Sequence, residues 1–125
     1  MSRRLVVTLA GIAAALAVAG TAFSQGQSTP RLVGTVGPGY TIKLTKGGVK
    51  VRSLRAGTYR FAITDKSSLH NFTLERETGV KIEKHLSGTG FTGAKTTTVT
   101  LKRGKWKYYC SVHESQMFGF FKVTK

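Results

Sequence analysis

Cysteine is nearly absent from this sequence: Cys110 is the only one in 125 residues. A lone thiol excludes an internal disulfide framework and any metal site built from several cysteines. Carboxylates are also scarce. Five Asp and Glu face 20 Lys and Arg, a formal net charge of +15, which turns the protein toward anionic partners. There are three histidines, and Met117 is the only methionine besides Met1. No segment carries a helical period and no internal repeat occurs. The one long apolar run, "LVVTLAGIAAALAVAG", has 16 residues, short of the ~20 that a membrane-spanning helix needs.

What is present begins with an export pattern. "MSRR", the apolar run and "TAFSQ" form a charged, apolar and small-residue series, read as a signal peptide over 1–24 cut near Ser24. An uncleaved membrane anchor is the alternative. Ser2-Arg3-Arg4 also resembles a twin-arginine start, so the export route stays open. No cysteine lies near the cut, so a lipid anchor has no support. Removing Arg3 and Arg4 leaves 18 basic residues against 5 acidic, a formal charge of +13. Residues 25–30, "QGQSTP", read as a flexible lead-in, and 31–125 as a single domain.

Within that domain the segments are short, β-branched and aromatic, and glycine-containing breaks punctuate them. "RLVGTV", "YTIKL", "VKVRSL", "TYRFAIT", "NFTLE", "VKIEKHL", "TTTVTLK", "KWKYYC" and "FGFFKVT" each read as one strand. In "KWKYYC", Trp106, Tyr108 and Cys110 share a face, while Lys105, Lys107 and Tyr109 point the other way. The expected fold is all-β, a sandwich or small barrel of about eight or nine strands.

The chemistry concentrates in "YYCSVHESQM". Cys110 ends a strand on its core face, Ser111 to Gln116 form a loop, and Met117 opens the last strand. Such a loop can fold back so that Cys110, His113 and Met117 converge. His70, entering a strand after the turn-like "DKSS", can reach the same end. One thiolate, two imidazoles and one thioether make the donor set of a blue-copper electron-transfer site. Zinc fits less well, since a thioether is a poor zinc ligand.

"HNFTL" at His70 with "YYCSVHESQMFGFFKV" at Tyr108 resembles the cupredoxin family, in its small bacterial plastocyanin-like form. "VGPGYTIKL" at Val36 and "AGTYRFAITDKSSLHNF" at Ala56 extend the resemblance over most of the domain. It implies a Greek-key sandwich, one type 1 copper per chain, and one-electron transfer rather than enzymatic catalysis. His70, Cys110, His113 and Met117 then take the ligand roles. Asn71 holds the position that ties the two ligand loops together in that family, and Ser111 is its expected partner. Two departures stand out. Val112 replaces the proline that many relatives carry before the second histidine. Glu114 follows that histidine directly, where its charge is placed to favour the imidazolium.

The expected function is an exported, periplasmic or extracellular electron carrier, with a copper carrier or storage protein as the alternative. His85, in "EKHLSG", is expected to face solvent. The expected partners are an acidic redox protein or an anionic envelope surface. A membrane is engaged only peripherally, or through an uncleaved leader, and the chain is expected to be a monomer. Lys interleaved with aromatics in "KWKYY" and "FGFFKV" is a pattern of nucleic-acid-binding sheets. Export removes nucleic acid as a ligand, however, and Trp106 and Tyr108 fall on the core face.

Overall fold

The computed structural model describes residues 28–125, together with Ala14, Ala15, Ala17 and Gly20. The expected leader, apart from those four residues, and the first part of the lead-in lie outside the described residues.

Ten strands follow in order: β1 (Arg31–Val36), β2 (Ile42–Lys46), β3 (Val49–Lys50), β4 (Ser53–Arg55), β5 (Gly57–Asp65), β6 (Phe72–Arg76), β7 (Ile82–Ser87), β8 (Gly93–Leu101), β9 (Gly104–Tyr109) and β10 (Phe118–Thr124). They form two five-stranded sheets, ordered β3-β2-β1-β5-β8 and β4-β10-β9-β6-β7. The β1–β5 and β4–β10 pairs are parallel and the others antiparallel. The described residues contain no helix.

The count exceeds the expected eight or nine, and "VKVRSL" shows one reason. Val49–Lys50 pairs with β2, whereas Ser53–Arg55 pairs with β10 in the other sheet. Val51, buried between them, marks the crossing. A sandwich turns its corners with strands that change sheets, so one apolar segment serves both layers.

The core follows the period-two alternation. Tyr59, Phe61 and Ile63 of β5, Trp106 and Tyr108 of β9, and Phe121 and Val123 of β10 all point inward and are buried. Phe72 stacks on Tyr108 with centroids 5.9 Å apart, and Trp106 on Phe121 at 6.3 Å. The polar tips are satisfied. The Trp106 indole donates to the Lys102 carbonyl at 2.8 Å and the Tyr59 hydroxyl to the Arg55 carbonyl at 2.7 Å. Two glycines permit this packing. A Cβ on Gly119 would run into the Tyr108 ring, and one on Gly34 into Ile63 and Phe72.

Tyr109 points away from the core, as the alternation requires, yet it too is buried. It pairs across strands with Phe118 and Thr73, and the Lys107 ammonium lies 4.8 Å from its ring centroid. Burial, reinforced by Glu75, Glu83, Glu114 and Glu77, pushes its phenol up to about 12. The folded protein therefore holds this proton more tightly than the unfolded chain, whose tyrosines titrate near ~10. The resulting stability is fully present below about pH 10 and is lost as pH rises toward 12. We expect Tyr109→Phe to remove up to about 2–3 kcal/mol of that alkaline loss. Urea midpoints measured from pH 9 to 12 check this: the variant's curve should be the flatter one.

Candidate metal centre

The site forms at the end of the sandwich where β5 and β9 finish and β6 and β10 begin. Short polar turns carry the chain from β5 to His70. The Ser67 amide donates to the Asp65 carboxylate at 3.1 Å, the Leu69 amide to the Ser67 hydroxyl at 3.2 Å, and the His70 amide to the Ser67 carbonyl at 3.3 Å. Asp65 is buried and accepts a 2.8 Å hydrogen bond from the Ser87 hydroxyl. That hydroxyl in turn accepts from the Phe72 amide at 2.8 Å. The network braces both ends of the segment that presents His70.

The second ligand segment is closed on itself. The Cys110 amide donates to the Met117 carbonyl at 3.0 Å, so the two ends of the loop face each other. Inside it, the His113 amide donates to the Cys110 carbonyl at 3.1 Å, and the Met117 amide to the His113 carbonyl at 2.9 Å. The C-x-x-H spacing is thus a tight turn that folds the imidazole back over the thiol.

Three donor atoms converge. His70 Nδ1 and His113 Nδ1 are 3.0 Å apart, and Cys110 Sγ lies 3.8 Å from each. Cys110 and His70 are buried and His113 is half-buried. Among the described residues, these three form the single His, Cys, Asp and Glu cluster able to hold a metal ion. The point equidistant from the three atoms lies about 2.1 Å from each, against metal–imidazole bonds of about 2.0–2.1 Å and metal–thiolate bonds of about 2.3 Å. The triangle has the size of a trigonal coordination plane, and its soft and borderline donors fit a type 1 copper. Met117 is buried at the base of the loop, on the chain that closes it.

Asn71 spans the two ligand segments. Its amide nitrogen donates to the Ser111 hydroxyl at 2.7 Å, and its carbonyl accepts from the Ser111 amide at 2.8 Å. The Thr73 hydroxyl lies 3.3 Å from the same carbonyl and 2.8 Å from His85 Nδ1. His85 is exposed, but it also ends a hydrogen-bonded chain that leads back to the ligand loop. Glu114 is not left to act on His113 alone, because its carboxylate lies 2.6 Å from the Lys107 ammonium. Nothing in the loop sequence signals that partner, which the β9 register supplies.

Sequence reasoning did not single out Tyr40. Its ring lies edge-on to His113 with centroids 5.0 Å apart, and 5.6 Å from His70. Tyr40, Leu69 and Val112, all exposed, border a surface hollow of about 530 Å³ in which His70 and His113 appear. No charged residue lines it.

In structure, the chain is similar to the copper protein rusticyanin, at 21% identity over 79% of this chain and 80% of that one, with a TM-score of 0.57. The chain has the cupredoxin fold. Reduced rusticyanin matches at 19% identity over 79% and 81% of the two chains, TM-score 0.56. Rusticyanin from Thiobacillus ferrooxidans matches at 23% identity over 79% of each, TM-score 0.50. No family model matches the sequence, and no curated protein matches it. The cupredoxin fold accounts for the two mixed five-stranded sheets.

Proposed function

We propose that this protein is an exported electron carrier, not an enzyme, holding one copper through His70, Cys110, His113 and Met117. The observation that carries this reading is the thiolate and two imidazole nitrogens converging on one point. Copper would supply a one-electron couple between Cu(II) and Cu(I). The chain's own residues do the rest. Cys110 and His70 supply donors shielded from water, Asn71 and Ser111 hold the two segments in register, and half-buried His113 offers the contact point for a partner. Buried, braced donors favour retention of the ion over exchange, which argues against a carrier or storage role. The deciding experiment is titration of the purified protein with Cu(II). One equivalent should produce an intense blue thiolate-to-copper band, and a colourless or weakly absorbing complex would overturn the reading.

Met117 should tune the copper rather than hold it. A thioether is softer than an amide oxygen and favours Cu(I) over Cu(II). Met117→Gln should keep copper and lower the reduction potential by about 60 mV or more, a tenfold change in relative preference for a one-electron couple. Redox titration of both proteins checks this, and an unchanged potential would remove Met117 from the ligand set.

The redox partner is proposed to be acidic. Steered association gains a factor of roughly 10 to 1,000 over neutral encounter and weakens with salt. The hollow around His113 is neutral, so attraction comes only from the distant field of the basic surface. We therefore expect the low end of that range. The rate with an anionic one-electron oxidant should fall about tenfold from low to high salt, and with a cationic one it should rise. Rates insensitive to salt for both reagents would mean that the basic surface does not steer.

A further inference from the structure

We infer that the outer face of β9 and β10, at the end remote from the donor cluster, is a docking site for an anionic lipid surface. Arg52, Arg103, Lys105 and Lys122 surround a shallow cleft of about 510 Å³, lined also by Phe120 and Phe121. Among the described residues, none of these four cations makes an ion pair, and no carboxylate lines the cleft. Apolar surface lies beside the charge. Phe120, in the middle of β10, points outward with 41% of its surface exposed, and Phe118, also outward, lies toward the donor-cluster end. The Lys105 ammonium sits 4.3 Å from the Phe120 ring centroid.

Cations interleaved with exposed aromatic rings suit a bilayer interface. The ammonium and guanidinium groups meet lipid phosphates while the rings enter the headgroup boundary. The placement favours lipid over an acidic redox protein. Lys105 is the second residue of β9 and Cys110 follows the strand's end, so five residues at ~3.4 Å each separate them by roughly 17 Å. A redox partner gains by close approach to the donor cluster, whereas a surface tether gains by leaving that end free. The sign of charge also changes across the sheet. On the same outer face, β6 and β7 carry Glu83 and a buried Glu75 that pairs with Lys81 at 2.8 Å, so the excess of positive charge falls on the β9–β10 side, which a negative surface would seat. The tether does not depend on the copper reading. Only the resulting orientation, with His113 facing water, rests on it.

The test is binding of the full chain to phosphatidylcholine vesicles with and without phosphatidylglycerol. What is read is the change in the ratio of anionic to neutral affinity between wild type and variant, in which any contribution of residues 1–24, Arg3 and Arg4 included, is common to both. Each cation near the surface contributes about fivefold. Replacing Arg52, Arg103, Lys105 and Lys122 together by Gln should therefore reduce the ratio by at least about 100-fold. Single Lys122→Gln and Phe120→Ser variants should each reduce binding to anionic vesicles several-fold, which keeps the test decisive if the fourfold variant fails to fold. A charge-matched control with Lys43, Lys46, Lys50 and Lys95, exposed on the other sheet, replaced by Gln should lose much less. Equal loss in the control, or a wild-type ratio near one, would overturn the assignment. Binding to soluble poly-glutamate that depends on the same four cations, without vesicle binding, would overturn it in favour of an acidic protein. Vesicle binding needs no copper, so its failure is distinct from failure of the blue-copper reading.

Discussion

Cys110→Ser is expected to abolish the blue absorption of the copper-loaded protein completely. The colour of a blue-copper site comes from the bond between thiolate and Cu(II), and this chain holds no second thiol to replace it. The geometry sharpens the expectation. Sγ stands 3.8 Å from each imidazole nitrogen, so a serine oxygen in its place leaves two imidazoles and a hard, weakly acidic donor. Cu(II) held by such a set gives a pale complex, and the preference for Cu(I) that a soft ligand confers is lost. Because Cys110 is fully buried, the variant also places a hydroxyl in the core, so the spectrum must be read on protein shown to be folded by circular dichroism. A folded Cys110→Ser protein with the full band would remove Cys110 from the site.

Asn71→Ala should weaken metal binding by about 10–100-fold, the usual cost of losing a residue that orients metal ligands. Asn71 makes no hydrogen bond to the three converging donor atoms. Its two hydrogen bonds to Ser111, at 2.7 and 2.8 Å, hold the loop carrying Cys110 and His113 against the strand entrance carrying His70. Without them the two segments are joined chiefly by the ladder between β6 and β9, which begins at Thr73 and Tyr109. The loss of folding stability should be smaller, about 1–3 kcal/mol for two hydrogen bonds. Asn71→Asp keeps the acceptor for the Ser111 amide and can accept from its hydroxyl, so it should recover most of the affinity. Competition with a copper chelator measures both variants. An Asn71→Ala protein that loses stability but keeps its affinity would make the residue a structural tie only.

The sequence was most legible where chemistry restricts residue choice. Cys110, His113 and His70 stand out because thiols and imidazoles are scarce in this chain, and the C-x-x-H turn is local enough to be read from spacing. Alternation in "KWKYYC" placed Trp106, Tyr108 and Cys110 on one face, and all three are buried. The same alternation turned Tyr109 outward but missed its burial, which depends on what Phe118 and Lys107 place over it. His85 reads as a surface residue and is one, yet Thr73 and Asn71 connect it to the ligand loop through contacts 2, 12 and 40 residues apart.

By itself, the sequence determined the all-β class, the strand faces, the donor types and the excess of positive charge. Those follow from side-chain period and composition, which act locally or sum over the chain. Tertiary structure alone decided that "VKVRSL" divides between two sheets, that Glu114 meets Lys107, that Tyr40 lies against both histidines, and that four cations gather far from the donor cluster. Each depends on strand register and sheet order, which bring distant residues together through backbone pairing that no single segment encodes.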